Sequence, residues 1–176
     1  MPAAAYQAWL RRDLEPHSHR EAYLYVMGVC GLAGEQAESL YRRVIDPASW
    51  TPYPDTAPVL EALRARGVRT AVVSNIAWDV RRAFDSLGCG PEEFVLSFEV
   101  GVVKPDPRIF RTALQRLGIP AEATLMIGDS EETDGAARAV GCSFAAVNPL
   151  PTTKRLTGLI DALHSAGLDM RDRNGE

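Results

Sequence analysis

The sequence predicts an α/β fold, a parallel sheet with helices on both faces, preceded by a purely helical segment. Three observations predict it. Between residues 55 and 167, helical and strand-like stretches alternate about four times. The strand-like runs AVV, FVL and TLMI are short and apolar, as strands buried on both faces are. Polar residues follow the runs, and in open parallel sheets ligands bind beyond the carboxyl ends of the strands. The chain accordingly divides into residues 1–52 (a helical cap), 53–168 (the α/β core) and 169–176 (a polar tail).

The elements follow in order. AAAYQAWLRRDL puts Tyr6, Trp9 and Leu10 at helical spacing. HREAYLYVMGVCG sets Tyr23, Val26, Met27 and Cys30 on one stripe, with Gly31 as a stop. GEQAESLYRRVI gathers Ala37, Leu40, Tyr41 and Val44. After TPYPDTAP the grammar changes: Asp55 reads as the N-cap of APVLEALRAR, and Gly67 closes that helix. RTAVVSN is the first strand, AWDVRRAFDSLG a helix, and FVLS the second strand. PRIFRTALQRLG is a helix opened by Pro107 and closed by Gly118. TLMI is the third strand, TDGAARAVG a helix and SFAAV the fourth strand. TTKRLTGLIDALHSAG is a final helix stopped by Gly167.

Composition excludes several classes of function. At 46% hydrophobic residues, 176 residues can bury a substantial core, which a disordered chain cannot. No apolar run approaches the ~18 residues of a membrane span. The N-terminus has no basic cluster followed by an apolar stretch, so a soluble, cytoplasmic protein is expected. Net charge is -4, with no block of like charge, which argues against nucleic-acid and membrane partners. Cys30, Cys89 and Cys142 are odd in number and far apart, as reduced thiols are. His17 and His19 are two apart and diverge on a helix, so neither they nor His164 suggests a metal site. Lys104 and Lys154 are the two lysines among 19 basic residues, which singles out Lys104 near a strand end.

The strand ends carry the chemistry. Ser74 and Asn75 follow the first strand, Lys104 lies in VGVVKPDP after the second, and Asp129 and Asp134 lie in MIGDSEETDGA after the third. These five would converge on one edge of the sheet. Facing carboxylates bind a hard cation through oxygen. A lysine and a hydroxyl nearby would hold phosphate oxygens that the cation also touches. Phosphoryl transfer rests mainly on positioning and on neutralising charge. Each part has a plainer use: Ser-Asn as a turn, Lys104 as a loop cation, the acids as a favourable helix start. Glu131 and Glu132 fit the plainer use. Asp129 does not, because it follows a buried strand directly, and Asp134 is grouped with it.

VVSN, VVKPDPRIF and MIGDSEETDGAARAVG, in that order, resemble the haloacid dehalogenase-like hydrolase superfamily. The likeness spans residues 55 to about 150. It implies a Rossmann-like parallel sheet, with the helical start as a cap that selects the leaving group. It further implies that Ser74, with Asn75 beside it, hydrogen-bonds the transferring phosphoryl group of a small phosphorylated metabolite. Lys104 would steady its charge and the nucleophile, and Asp129 would ligate Mg²⁺ with Asp134 as its acidic companion. GDS followed by an acid resembles the phosphatase branch.

One part is missing. The resemblance implies an Asp-x-Asp motif at the end of a central first strand, the first Asp as nucleophile and the second as general acid and base. The sequence contains no Asp-x-Asp. Without that strand, AVV and TLMI must pair with each other or leave open edges, which invite self-association. Three explanations stand: a nucleophile strand upstream in a longer protein, a degraded relative, or a second chain that fills the gap. Weak or no turnover is expected of the chain as written, and a non-catalytic binding module on the same scaffold is the alternative. A phosphoacceptor receiver domain is excluded by the order of serine, lysine and acids. A nucleotide-binding Rossmann domain is excluded because VVSNIAWD has no Gly-rich turn.

Overall fold

A computed structural model describes residues 1–168, and the tail 169–176 lies outside the described residues. Three helices come first: α1 (Ala3–Arg11), α2 (Pro16–Val29) and α3 (Glu35–Ile45). Pro16 starts α2 at a position where its missing N–H is not needed. Met27, Ala37 and Tyr41 form the centre of this helical segment, with Tyr23, Leu24 and Val44 around them. The stripe expected on α2 turns out narrower, because Cys30 is exposed at its end. Tyr6 and Leu10 of α1 are also exposed, and Ala8 is the residue that α1 buries.

The core follows as α4 (Thr56–Ala65), β1 (Ala71–Ser74), β2 (Glu93–Leu96), α5 (Ser97–Val100), α6 (Pro107–Leu117), β3 (Leu125–Gly128), β4 (Ser143–Ala146) and α7 (Gly158–Ser165). The strands do not form one sheet. β1 pairs with β2 in parallel, Ala71 opposite Glu93, and β3 pairs with β4 in parallel, Leu125 opposite Ser143. β1 and β3 are not hydrogen-bonded to each other. Of the two arrangements left open by the sequence, the structure has open edges.

Helices cover both faces, as predicted. On one face Val59 and Leu63 of α4 and Leu163 of α7 pack on Leu125 and Ile127. On the other, Ile109, Phe110 and Ala113 of α6 pack with Val95, Ala137 and Cys142, and Val73 and Met126 lie against them. Alternate residues of β3 thus serve opposite faces, as the period of a strand requires. α6 is well specified: the Asp106 carboxylate accepts from Arg108 N at 2.9 Å, Pro107 follows, and Gly118 ends the helix at φ 63°. Burying Ile109 and Phe110 contributes about 1.5–3 kcal/mol each.

Three expected helices differ. Arg81–Leu87 and Gly135–Val140 are 3-10 helices rather than α-helices. Each is six or seven residues long and ends in a left-handed glycine, Gly88 or Gly141. The last helix begins at Gly158, not in TTKR. Its start is fixed from a distance: the buried Asp55 carboxylate accepts from Leu159 N at 2.7 Å and Ile160 N at 3.3 Å. Asp55 does precede α4, but its side chain makes no cap there. It caps α7 instead. No helix among the described residues is long and apolar enough to cross a membrane.

Candidate active site

Ser74 ends β1 and Asp129 follows β3, and of the five sequence-predicted residues Asn75, Lys104 and Asp134 are joined by hydrogen bonds, with Lys104 linking the two strand ends. The Asn75 amide brackets the Lys104 backbone: Nδ2 donates to Lys104 O at 3.0 Å, and Oδ1 accepts from Lys104 N at 2.7 Å. Both polar ends of the Asn75 side chain therefore position Lys104. The Lys104–Pro105 peptide is cis. The Lys104 side chain runs to the other half-sheet, where Nζ meets Asp134 Oδ1 at 2.5 Å.

Asp134 is 4% exposed, and its second oxygen accepts from Ser130 N at 3.1 Å. Ser130 O in turn accepts from Asp134 N, and Ser130 Oγ accepts from Thr133 N. The acidic loop is thus a closed turn around one buried carboxylate. Gly128 makes room for it, since a Cβ there would stand 2.6 Å from Asp134 Cβ and closer still to its carboxylate. Asp129 differs from Asp134 in every respect. It is exposed, and its carboxylate has no partner among the described residues. The Ser74 hydroxyl is likewise without one. Glu131 forms a surface ion pair with Arg138, and Glu132 is exposed.

The site therefore presents one open carboxylate, one open hydroxyl, and a buried Lys–Asp pair between them in connectivity. Among the described residues, no three His, Cys, Asp or Glu side chains gather to hold a metal ion. Carboxylates are hard oxygen donors, and Mg²⁺ is usually held by one or two of them together with phosphate oxygens and water. The open Asp129 carboxylate fits that use, whereas both oxygens of Asp134 are engaged, by Lys104 Nζ and Ser130 N.

The N-terminal helices reach the same edge through groups not among the predicted site residues. His19 is 1% exposed, stacks on Tyr23 at 4.0 Å and meets Tyr41 Oη through Nδ1 at 3.0 Å. The edge of Trp78, in the loop after β1, lies 4.8 Å from the His19 ring. Trp50 packs edge-on against Trp78. Burial, aided by the Arg12 charge, lowers the His19 pKa to about 4, so the imidazole is neutral. The Ser97 hydroxyl, fully buried, accepts from Ile76 N at 2.8 Å and donates to Asp13 O in the α1–α2 loop. Burial raises the Asp13 pKa, and Arg12 partly offsets it. No sequence signal marks His19 or Ser97, because a histidine on an apolar stripe and a serine at a strand end have many uses. His17 is exposed beside Glu21, outside this cluster.

Comparison with known proteins gives a consistent picture. The family model for haloacid dehalogenase-like hydrolases matches residues 6–141. The haloacid dehalogenase-like hydrolase domain-containing protein 3 of Bos taurus is 37% identical over 119 residues, 65% of this chain and 47% of that protein. The phosphoserine phosphatase of Thermus thermophilus is 34% identical over 119 residues, covering 65% and 46%. The chain thus spans about half the length of the curated relatives it matches. Among solved structures, the L-2-haloacid dehalogenase of Xanthobacter autotrophicus aligns over 97% of this chain and 74% of its own, with a TM-score of 0.64 and 23% identity. A Bacteroides thetaiotaomicron family enzyme solved with magnesium and inorganic phosphate aligns over 79% and 74%, with a TM-score of 0.55 and 20% identity. At these identities the structural likeness concerns the fold.

Proposed function

The chain belongs to the haloacid dehalogenase-like hydrolases, and from that premise we propose that it is the cap and acceptor half of a Mg²⁺-dependent phosphomonoesterase. The observation that carries this reading is the bridge by which Lys104 ties the end of β1 to Asp134 after β3. Ser74, with its unengaged hydroxyl, would donate to a phosphoryl oxygen. The Lys104 ammonium would neutralise phosphoryl charge while Asp134 holds it in place. Asn75 fixes the Lys104 backbone and would meet the phosphoryl group beside Ser74. Asp129 would ligate Mg²⁺, with Asp134 as the companion acid. Bound Mg²⁺ would supply charge neutralisation on the phosphoryl oxygens. Relatives named as phosphatases of phosphoserine and glyceraldehyde 3-phosphate support a small phosphorylated metabolite as substrate. The helices of residues 1–52, anchored through His19 and Ser97, would form the cap over its leaving group.

The described site has no carboxylate placed to attack phosphorus: Asp134 is held by Lys104, and Asp129 is assigned to the metal. By itself the chain should bind phosphate and Mg²⁺ together, each weakly, and turn over little or nothing. Calorimetric titration of Mg²⁺ with and without inorganic phosphate tests this, alongside an assay with p-nitrophenyl phosphate. The expected result is weak, phosphate-dependent Mg²⁺ uptake, lost in Asp129→Ala and Lys104→Ala, with no turnover. Tight Mg²⁺ binding without phosphate would overturn the assignment of the site. Turnover that Asp129→Ala abolishes would overturn the assigned inactivity.

A further inference from the structure

A cleft of about 510 Å³ lies between β4 and α7. None of the five candidate active-site residues lines it. Small side chains leave the space open: Ser143 and Ala145 of β4, and Gly158, Ala162 and Ser165 of α7. The loop after β4 adds Asn148, Lys154 and Arg155 to the lining.

Two kinds of polar group on its lining lack partners. The first is the outer edge of β4. Ser143 N donates to Thr124 O and Val147 N to Gly128 O, so Ser143, Ala145 and Val147 turn their backbone polar groups to β3. Phe144 and Ala146 turn theirs to the outer edge, where no strand pairs among the described residues. The second is a pair of cations. Lys154 and Arg155 have no carboxylate partner among the described residues. Arg155 Nε is buried without an acceptor, and Nη1 reaches only Asn148 O, at 3.4 Å. The guanidinium is held in place all the same. Its central carbon lies 3.1 Å from the Tyr53 ring centroid, and its stem lies over Gly158, where a Cβ would stand 2.8 Å from Arg155 Cδ. The one carboxylate on the lining, Asp161, accepts from the Thr157 hydroxyl. Buried donors are rarely left unpaired, and a guanidinium fork suits a phosphate oxygen pair, so an arginine held in this way calls for an anion.

We propose that the cleft binds a nucleoside monophosphate, its phosphate on Arg155 and Lys154 and its base on the outer edge of β4. On that edge Phe144 C=O and Ala146 N–H stand as neighbouring acceptor and donor. A nucleobase carries a donor beside an acceptor on its pairing edge, and so bonds both at once. The volume is that of a site for a small organic ligand, well beyond what a free phosphate fills. Phosphate alone would satisfy the cations and leave the strand edge open, and a nucleoside would do the reverse. The place differs from the Gly-rich first turn of a Rossmann nucleotide site, which the chain lacks. It is also independent of the phosphatase chemistry, and its test does not involve turnover.

The probes are AMP and UMP, titrated into the isotope-labelled full chain and followed by NMR, with EDTA present to keep Mg²⁺ from the phosphoryl site. The amides of Ala146 and Gly158 and the side-chain Nε–H of Arg155 should shift together, with one Kd. Inorganic phosphate and adenosine should each bind about ten-fold more weakly than AMP or worse, since each makes one of the two sets of contacts. Arg155→Gln should weaken AMP binding about 10- to 100-fold, the worth of a charged hydrogen bond. Lys154→Gln, at an exposed position where the fold has nothing to lose, should weaken it about 2- to 5-fold. No shift of these signals with either nucleotide would overturn the proposal, and so would shifts that survive both substitutions. Phosphate binding as tightly as AMP would replace it with an adventitious ion only. Adenosine binding as tightly as AMP would overturn the role of the two cations.

Discussion

Single side chains decide how the site is held. Lys104 and Asp134 are a nearly buried ion pair, 12% and 5% exposed. Lys104→Met leaves the Asp134 charge buried without its partner, and should lower stability by about 3–5 kcal/mol in urea titration. Asp129→Ala removes an exposed carboxylate with no partner, and should change stability by less than about 0.5 kcal/mol. The two aspartates thus separate in a stability assay, although the sequence presents them as equals. Gly128→Ala forces a methyl into the Asp134 side chain and should cost about 1–3 kcal/mol, with loss of phosphate-dependent Mg²⁺ binding as the second measurement.

His19 gives a pH dependence with a defined sign. Its folded pKa is about 4 and its ordinary value 6.5, so between these the unfolded chain takes up a proton that the fold refuses. Its contribution is complete above about pH 6.5 and falls as pH drops toward 4, by about 3 kcal/mol in all. Asp13, whose pKa burial raises, acts in the opposite sense. The comparison is therefore with His19→Phe: urea midpoints of the wild type should fall more steeply from pH 7 to 4.5 than those of the variant.

Among the elements, the sequence made legible what depends on neighbours in the chain. α6 is the clearest case, with its Asp-Pro start, its apolar spacing and its terminal glycine all local. What depends on distant partners was not legible. Asp55 sits where a helix cap is expected, yet its carboxylate serves α7, 104 residues on. Asp55→Ala should cost about 1–2 kcal/mol and expose the start of α7 to limited proteolysis before global unfolding. The two 3-10 helices are legible as helices but not as to type, since their apolar spacing fits either coil. Asn75 is a third case, because nothing in VVSN says that its amide will bracket a lysine backbone 29 residues away.

Across the whole molecule, the alternation of helix and strand correctly placed helices on both faces. It did not reveal how far the sheet would divide, because strand pairing is a contest between edges. β2 is deeply buried, with Val95 and Leu96 at 0% exposure, whereas β1 and β3 remain half-buried along their whole length. That difference is the imprint of the two open edges on the strands that carry them.

The same division orders events in time. Ala71 and Glu93, and Leu125 and Ser143, are register partners only 22 and 18 residues apart. Each half-sheet closes over a short loop, and such local units form early. The edges of β1 and β3 stay unpaired among the described residues once both units have formed. They are the stickiest surfaces of the nascent chain, so the yield of folded protein should fall as its concentration during folding rises.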